Sequence, residues 1–462
     1  MINGLEDTIA AIATPPGRGG IAIIRLSGSE AIAITKMFFN CGIKLEEIEP
    51  RQAVFGKLVD ENGFGIDEAI AIFYKAPNSY TKENLVEINC HGGIYLSQKV
   101  LELAIQKGAR LAKPGEFTLR AFLNGRIDLS QAEAVADLIQ ARTGASARAS
   151  YVQLDGKLSK KINEISSLLF DYCSLLELEL DFSEENVQFV ERVDFNKKIA
   201  AVKQELEKLI ETFQVGRIAR EGVKLVITGK PNVGKSSLLN ALIMEERAIV
   251  TDIPGTTRDA LEVQLDIQGF LFRIIDTAGI KETDDKIERE GIRRAKKHLE
   301  SADVILHVFD GSLPIENDDE VIMDQISKIS DAKIIRIINK NDLVQKIELK
   351  DIEQRDTPVV SISALQNRGI EILERELHNL VLNFDENISG NEVMVTNVRH
   401  WEILGRARES LKSALKEAES DVSSEFISLY LRDALDYLGQ ITGKVTSDDI
   451  LNNIFSKFCI GK

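Results

Sequence analysis

The stretch that decides the fold is VKLVITGKPNVGKSSLLNALI, residues 223–243, where an apolar run, a glycine loop and a helical pattern follow one another. Its spacing Gly229-x-x-x-x-Gly234-Lys235-Ser236 lets backbone N–H groups close around phosphate oxygens. Lys235 adds a positive charge, and the Ser236 hydroxyl is a ligand of the kind that Mg²⁺ takes. An ordinary strand-to-helix turn is the alternative interpretation, but the strand before and the helix after favour a phosphate-binding loop.

Three segments downstream supply the residues expected to bind the metal ion and the guanine base. In FRIIDTAGI, residues 272–280, an apolar strand brings Asp276 to the metal shell, and the Gly279 N–H serves the γ-phosphate. In RIINKNDLV, residues 336–344, a carboxylate accepts from the ring N–H and the amine of guanine, which adenine does not offer. SISAL, residues 361–365, closes over the base. Four motifs in this order predict a Ras-like α/β P-loop GTPase module that binds GTP and not ATP.

The catalytic device of this module departs from the common one. Ras-like enzymes place a Gln after D-T-A-G to orient the attacking water, whereas this chain has Ile280, which cannot polarise water. Asn232 in the loop suggests help with a monovalent cation that does the work of an arginine, although Asn also suits loops in general. The segment TDIPGTTRD, residues 251–259, is the switch I candidate, with Thr257 completing the magnesium shell. Glu288 is a candidate for orienting water, or one more solvated glutamate on a charged helix.

The nucleotide-contacting set follows from these motifs. Its catalytic members are Lys235 and Thr257; Glu288 is added to them only by the family resemblance given below. The residues expected to bind GTP are Asn232, Val233, Gly234, Lys235, Ser236, Ser237, Thr251, Asp252, Ile253, Pro254, Gly255, Thr256, Thr257, Asp276, Thr277, Ala278, Gly279, Asn339, Lys340, Asn341, Asp342, Ser363, Ala364 and Leu365.

The bulk properties limit the rest of the chain. With 462 residues, 44% hydrophobic and 28% charged, it is expected to form two or three globular domains. We see no secretion signal and no apolar run of membrane-spanning length, and the four cysteines lack zinc or disulfide spacing, which fits the cytoplasm. A net charge of −16 argues against a protein that coats nucleic acid, but a local basic surface could still hold RNA.

Changes in the hydrophobic pattern along the chain predict its domains. Residues 1–121 mix short apolar runs with turns, which indicates an α+β domain, and Ser130 with Glu133 predicts a capping box ahead of a helical stretch. Strands alternate with helices between residues 219 and 382, and helical periodicity returns after them. We interpret this α/β module as inserted into one all-α domain, whose halves are residues 122–218 and 383–462. A seam of apolar residues in the first half supports helix packing: Phe195, Ile199, Val202, Leu206, Leu209 and Phe213.

Segments outside the GTPase motifs carry a family resemblance. DTIAAIATPPGRGGIAIIRLSG (residues 7–28), EINCHGG (87–93), KPGEFTLRAFLNGRIDLSQAEA (113–134) and the terminal FCIGK (458–462) are similar to segments of the MnmE (TrmE) family of tRNA-modification GTPases. The resemblance covers the whole chain. It implies an N-terminal folate-binding and dimerisation domain, a helical domain and an inserted G domain in a homodimer.

The resemblance also implies a chemistry. Family members act with MnmG (GidA), a flavoprotein using FAD and NADH, in a heterotetramer or larger assembly. Together they install an aminomethyl or carboxymethylaminomethyl group on carbon 5 of the tRNA wobble uridine, with 5-formyl-tetrahydrofolate or a related tetrahydrofolate supplying the carbon. GTP hydrolysis is activated by K⁺ and uses Mg²⁺.

Particular residues fall at the family's functional positions. The Mg²⁺ positions are Ser236 and Thr257, and Glu288 falls at the water-orienting glutamate. The K⁺ positions are Asn232, Thr251, Ile253 and Thr256. The folate-contacting positions are Arg25, Glu87, Arg126 and Lys462, where Arg126 matches a basic position. Cys459 has either a supporting chemical role or a packing role.

Two alternative functions remain open on the sequence alone. A ribosome-assembly GTPase of the Era or Der type shares GKPNVGKSS and NKND, yet we find no RNA-binding KH pattern after the module and no second G domain. That class would also leave the first 120 or so residues unexplained. A folate enzyme with a vestigial GTPase is disfavoured because every G motif is intact.

Overall fold

A computed structural model describes residues 7–43, 49–181, 191–244, 262–276, 297–328, 332–352, 357–385, 393–420 and 424–462. The chain divides into two compact units. The first comprises residues 1–139, 153–207 and 402–462, and the second residues 140–152 and 208–401. The boundaries expected for the individual domains remain a prediction.

The first unit contains a seven-stranded, mostly antiparallel sheet in the order β3-β4-β5-β6-β2-β1-β7, in which only the β1–β7 pair is parallel. Three of the apolar runs in this region, at residues 21–28, 68–74 and 85–90, lie in β2, β5 and β6. The strands are β1 (Ile9–Ile12), β2 (Ile21–Ser27), β3 (Phe39–Asn40), β4 (Ala53–Val59), β5 (Gly65–Tyr74), β6 (Leu85–His91) and β7 (Arg110–Leu111).

The two faces of this sheet differ. Helices α1 (Ala31–Lys36) and α2 (Ile94–Gln106) cover one face with a shared apolar core, whereas the other face exposes Phe55 and Ile70, which are paired across β4 and β5. Alternation of side chains along each strand explains the difference, since only every second residue reaches the core. Helix α3 (Glu116–Leu123) follows β7.

Helix α4 corrects one expectation from the sequence. It begins at Leu129, so Ser130 lies inside it, and the capping box predicted at Ser130 and Glu133 is wrong. The reciprocal bonds are made instead by Asp128 and Gln131: the Gln131 N–H donates to Asp128 Oδ1 (2.9 Å) and the Asp128 N–H to Gln131 Oε1 (3.0 Å). Asp caps as well as Ser does, and the sequence offers both pairs two residues apart.

Further helices follow before the nucleotide module. All six residues of the expected apolar seam are buried, although the helix carrying the first five ends at Glu211 and Phe213 opens the next helix. The helices are α4 (Leu129–Gln140), α5 (Gly144–Leu154), α6 (Lys157–Asp181), α7 (Arg192–Glu211) and α8 (Phe213–Glu221).

The second unit is built on a six-stranded sheet in the order β13-β12-β11-β8-β10-β9, in which all pairs are parallel except β9 with β10. Its central strand, Val304–Asp310, is buried along its whole length because both faces of the sheet are covered. The elements are β8 (Val223–Thr228), α9 (Lys235–Met244), β9 (Glu262–Ile267), β10 (Phe270–Asp276), β11 (Val304–Asp310), α10 (Asn317–Ser327), β12 (Lys333–Asn339), α11 (Leu349–Ile352), β13 (Val359–Ser361) and α12 (Ile370–Asp385).

The chain ends with three helices, α13 (Val398–Glu419), α14 (Ser424–Thr442) and α15 (Asp448–Phe455). Helix α14 packs on α6: the Cys173 thiol lies 3.6 Å from Ser428 Oγ, and Arg432 pairs with Glu177 at 2.6 Å. Helices α6 and α14, which lie before and after the nucleotide module in the chain, therefore pack on each other. Among the described residues, no helix combines the length and apolarity needed to cross a bilayer.

Candidate functional site

The phosphate-binding loop lies where β8 meets α9. Three of its residues have positive φ: Gly229 (+146°), Asn232 (+63°) and Gly234 (+99°). A Cβ on Gly229 would collide with the Val308 carbonyl oxygen, and one on Gly234 with the Asn339 side-chain amide. The loop is therefore tight enough to point successive N–H groups inward, which is the geometry that anions need.

Lys235 is the first residue of α9, and its side chain folds back over the loop. Its Nζ donates to the carbonyls of Gly229 (2.8 Å) and Lys230 (2.7 Å). The ammonium is thus held inside the loop at the N-terminus of a helix, where the dipole also favours negative charge. Lys230 is fixed in turn by Asp319 (2.7 Å) and Glu316 (2.8 Å), which tie the loop to the start of α10.

The base-recognition segments meet through Asn339, at the end of β12. Its Nδ2 donates to the Val233 carbonyl at 2.8 Å, and its Oδ1 accepts from the Ala364 N–H at 3.0 Å. The buried amide therefore joins the phosphate loop to the SISAL loop. Ser363 Oγ donates to Asp342 Oδ1 at 2.6 Å, which orients the carboxylate expected to recognise guanine.

Lys340 has an anchor that sequence reasoning missed. Its backbone is left-handed (φ +64°), and its Nζ pairs with Asp310 Oδ2 at 2.5 Å. Asp310 is buried at the end of β11 and also accepts from Ser312, at 2.7 Å from Oγ and 3.0 Å from N. Burial alone would raise the Asp310 pKa, but these hydrogen bonds outweigh it and hold the pKa below its ordinary value. The missed signal was positional, since Asp310 ends a strand at the same sheet edge as Asn339.

The structure describes some of the remaining residues that are expected to bind GTP. Asn232, Ser236 and Ser237 are exposed around the phosphate loop, and Leu365 is exposed beside the base loop. The Asn341 N–H donates to the Ile362 carbonyl at 3.0 Å, which holds the NKND and SISAL loops together. The expected residues that lie outside the described residues are Thr251, Asp252, Ile253, Pro254, Gly255, Thr256, Thr257, Thr277, Ala278, Gly279, Ile280 and Glu288.

The residues present fit a magnesium ion. The Ser236 hydroxyl lies on the first turn of α9, and the backbone of Asp276 ends β10 beside Ile227 of β8. A hydroxyl and a carboxylate are hard oxygen donors, as Mg²⁺ prefers. Asn232 takes a left-handed backbone conformation in the phosphate-binding loop.

A second cluster lies in the first unit and includes the expected folate residues. Arg25 on β2 and Glu87 on β6 are cross-strand partners, and the guanidinium holds one carboxylate oxygen through Nε (2.9 Å) and Nη2 (2.6 Å). Tyr74 donates to the other oxygen at 3.4 Å. Burial and the Glu87 charge raise the Tyr74 pKa, so this phenol stays protonated. Glu87 Oε2 can still accept a further hydrogen bond.

Tyr80 joins this pair to the other expected folate residues. The Arg25 guanidinium lies 5.6 Å and the Arg126 guanidinium 4.6 Å from the centre of its ring. Arg25 Nη1 also donates to the Gly461 carbonyl at 3.4 Å, next to Lys462. Arg25, Glu87, Arg126 and the chain end are therefore neighbours, and Tyr80 is a further member that no sequence motif indicated.

The C-terminal tail is docked on this region. The Gly115 N–H donates to the Cys459 carbonyl at 3.4 Å, and a Cβ on Gly115 would lie 2.6 Å from the Phe455 carbonyl oxygen. Gly461 has φ +95° and is packed against Ile12 so closely that a Cβ would clash. The Cys459 side chain is exposed, and its backbone carbonyl accepts from the Gly115 N–H, so the choice between a chemical and a packing role for the thiol stays a prediction.

Comparisons with known proteins identify the family. Residues 8–126 match the family described as GTP-binding protein TrmE N-terminus, and residues 129–459 match the MnmE helical domain. The tRNA modification GTPase MnmE of Clostridioides difficile is 44% identical over 99% of this chain and 100% of its own length. The protein of the same name from Carboxydothermus hydrogenoformans is 44% identical over 99% and 100%.

Among solved structures, the G domain of the T. maritima FeoB iron transporter is 26% identical, covers 35% of this chain and 98% of its own, and has a TM-score of 0.26. The two family matches lie on either side of residue 127 and together span almost the whole chain. They agree with the three-part fold class expected from the sequence. The chain belongs to the MnmE (TrmE) family of tRNA modification GTPases.

Proposed function

We propose that this protein is a potassium-activated GTPase that modifies tRNA in the cytoplasm together with the FAD protein MnmG. In this reaction an aminomethyl or carboxymethylaminomethyl group is attached to carbon 5 of the wobble uridine, and a tetrahydrofolate such as 5-formyl-tetrahydrofolate supplies the carbon. The observation that carries the proposal is the presence on one chain of the guanine-nucleotide cradle, formed by the phosphate-binding loop with the NKND and SISAL loops, and of the Arg25–Glu87 cluster beside the docked tail.

The GTPase half of the proposal rests on what each loop residue does. Backbone N–H groups and Lys235 bind the phosphates, Ser236 and Thr257 hold Mg²⁺, and Asp342 selects guanine. K⁺, held by Asn232 with Thr251, Ile253 and Thr256, supplies the positive charge that an arginine gives in other GTPases. Glu288 orients the attacking water, since Ile280 cannot.

The folate half rests on charge and hydrogen-bonding complementarity. The free face of Glu87 accepts from the adjacent N–H and amine donors of a pterin. Arg126 and Lys462 receive the glutamyl carboxylates. Arg25 orients Glu87 through its two hydrogen bonds. The cluster is held on rigid strands, which suits a site that must position a one-carbon group.

The homodimer rests on the uncovered face of the N-terminal sheet. Phe55 is 60% exposed and Ile70 44% exposed, and they are cross-strand partners. Two large apolar side chains next to each other on an open sheet face are characteristic of an interface. A second copy of this chain is the partner that the family resemblance implies, and MnmG then joins the dimer.

The test is reconstitution. The purified protein and MnmG are incubated with an unmodified tRNA transcript, GTP, Mg²⁺, tetrahydrofolate, FAD and NADH, in K⁺ or Na⁺ buffer. We expect wobble modification and faster GTP turnover in K⁺, and loss of modification with unchanged GTP turnover in Glu87→Gln. An unmodified wobble uridine would refute the proposal, and co-sedimentation with ribosomal subunits would favour a ribosome-assembly switch instead.

A further inference from the structure

Five basic side chains surround the docked C-terminal tail. Lys113, Arg126 and Lys457 are exposed, and Lys82 and Lys462 are half-buried. Within the part of the chain that the structure describes, none of the five forms an ion pair. We call these five residues the basic rim.

Hydrogen bonds and close packing bring the members of the rim together. Gly115 touches Phe455 and Cys459, which places the Lys113 and Lys457 backbones on adjoining loops. Lys82 Nζ donates to the Gly125 carbonyl at 2.8 Å, directly beside Arg126.

The other side of the rim is fixed through the tail. The Arg126 guanidinium stacks on Tyr80, whose ring also meets Arg25, and Arg25 in turn bonds Gly461 next to Lys462. The rim therefore borders the Arg25–Glu87 cluster on the side where the tail ends.

The neighbouring carboxylates do not cancel this charge. Glu87 is paired with Arg25, and Glu116 is buried between Arg110 (2.6 Å) and Arg120 (3.1 Å). Asp128 is committed to the cap of α4. The rim is thus a local positive surface on a protein whose net charge is −16. Such a surface concentrates a polyanion at one place while the rest of the protein repels it.

We propose that the basic rim is the surface on which the backbone phosphates of tRNA dock, with the anticodon loop presented to the Arg25–Glu87 cluster. Lys82, Lys113 and Lys457 take the phosphates, because Arg126 and Lys462 face the proposed folate. The inference rests on the proposed function, because it assumes that the folate-borne carbon is used at that cluster. Lysine and arginine side chains without carboxylate partners are the groups that neutralise phosphates. Single-stranded loops are the RNA elements whose bases can be splayed out to a protein site.

Apolar groups next to the rim support RNA rather than a small anion. Ile460 is 50% exposed and Leu123 39% exposed, and Tyr80 stacks on Arg126. Unstacked bases need such apolar and planar surfaces, whereas a carboxylate tail does not. The other candidate occupant is the polyglutamyl tail of a folate, which the experiment separates.

The experiment measures tRNA affinity as a function of salt. The full-length variant Lys113→Gln/Lys457→Gln removes two rim charges and leaves the expected folate residues intact. Fluorescence anisotropy with a labelled, unmodified tRNA transcript gives the dissociation constant over a KCl series, without MnmG. We expect about tenfold weaker binding at physiological salt and a salt slope shallower by about 1.5, since each lost phosphate contact removes roughly 0.7–0.9.

The matched control is Lys197→Gln/Lys198→Gln, which removes the same charge from an exposed stretch of α7 in the same unit. We expect its affinity and slope to equal those of the parent protein. Lys113→Arg/Lys457→Arg keeps the charge and should restore binding, which excludes a folding defect. A rim variant with the parent's slope, or an equal loss in the control, would overturn the proposal.

Two calorimetric titrations separate the remaining explanations. Monoglutamyl tetrahydrofolate should bind the rim variant as it binds the parent protein. A loss confined to pentaglutamyl tetrahydrofolate, with tRNA affinity unchanged, would assign the rim to the folate tail and overturn the RNA proposal. If the parent protein binds tRNA through the rim but binds no tetrahydrofolate, the proposed function fails while the docking surface stands.

Discussion

The nucleotide cradle and the Arg25–Glu87 cluster are two sites built in different ways. Each loop of the cradle is a short contiguous motif that follows the carboxyl end of a parallel strand, so its chemistry is visible in consecutive letters. The other cluster collects single residues from β2, β6, the loop before α4 and the chain end. A local motif can be recognised from consecutive residues. A cluster whose members lie more than 400 residues apart can be recognised only in the folded structure.

The two sites also differ in what holds them in place. In the cradle, the Asn339 side chain bonds the backbone of the phosphate-binding loop, and the Asp310 side chain holds the Lys340 ammonium. In the cluster, the tail is held by close packing of glycines and a few backbone bonds. Substitutions should therefore affect one site without affecting the other, and the following predictions test that independence, starting with the largest effect.

Lys235→Ala should impair GTP turnover at the cradle and leave tetrahydrofolate binding at the Arg25–Glu87 cluster unchanged. Removing the ammonium from the phosphate loop takes away the main side-chain charge on the transferred phosphate, and we expect GTP turnover to fall by roughly 100- to 1,000-fold. Tetrahydrofolate affinity should not change. Lys333→Ala, an exposed lysine of β12 in the same unit, is the matched control. A drop in folate affinity in Lys235→Ala would show that the two sites are not independent.

Gly461→Ala should produce the converse pattern. A methyl group there meets the Ile12 carbonyl, and the positive φ costs a non-glycine residue about 1–3 kcal/mol, so the tail should detach. We expect folate affinity to fall by about tenfold, a change of about 1.4 kcal/mol in binding free energy. GTP turnover should stay at the parent's rate. Gly65→Ala, where a Cβ meets nothing within 4 Å, is the control.

The sequence predicted the cradle better than the cluster for a physical reason. Gly234, Lys235 and Ser236 are next to one another in the chain, and strand-loop-helix geometry leaves their placement little freedom. The meeting of Arg25 with Gly461 depends on how the tail packs, which no local pattern states. Tyr80 and Asp310 were missed because each acts through another side chain. The wrong capping box at Ser130 shows the same limit, since Asp128 and Ser130 are equally good caps by composition.

The acid sensitivity of the two units should differ as well. His307 is buried beside Arg336 in the second unit, and burial together with the Arg336 charge lowers its pKa to about 3. The unfolded chain has a histidine pKa near 6.5, so below that pH it binds a proton that the folded protein refuses. Stability therefore falls by about 1.4 kcal/mol per pH unit below about 6.5, or roughly 2 kcal/mol at pH 5.

Carboxylates in the first unit respond at lower pH. Hydrogen bonds from Arg110 and Arg120 lower the Asp7 pKa. The stability that Asp7 contributes is therefore present above its ordinary pKa of 3.8 and is lost only as pH falls through the lowered folded value.

Trp401 is the single tryptophan, belongs to the second unit and stacks on Phe213 at 5.2 Å, so its fluorescence reports on that unit. Urea unfolding at pH 7 and pH 5 should show the loss in the parent and little of it in His307→Phe. Equal losses in both would remove His307 as the cause.

The smallest predicted effect concerns the anchor of Lys340. Asp310→Asn keeps the hydrogen bonds from Ser312 but removes the charge that holds the Lys340 ammonium at 2.5 Å. Because Lys340 is one-third exposed, water screens the pair, and we expect guanine-nucleotide affinity to fall by only about fivefold, close to 1 kcal/mol. If Asp310 acts through Lys340, the loss in Asp310→Asn/Lys340→Ala should equal that in Lys340→Ala alone, and fluorescent GDP titrations of all four proteins measure this coupling. Additive losses would mean that Asp310 supports the loop generally, as in a structural role, and folate affinity should stay constant throughout. If Asp310 acts only on Lys340, the guanine selectivity of the cradle depends on a residue that lies outside its sequence motifs.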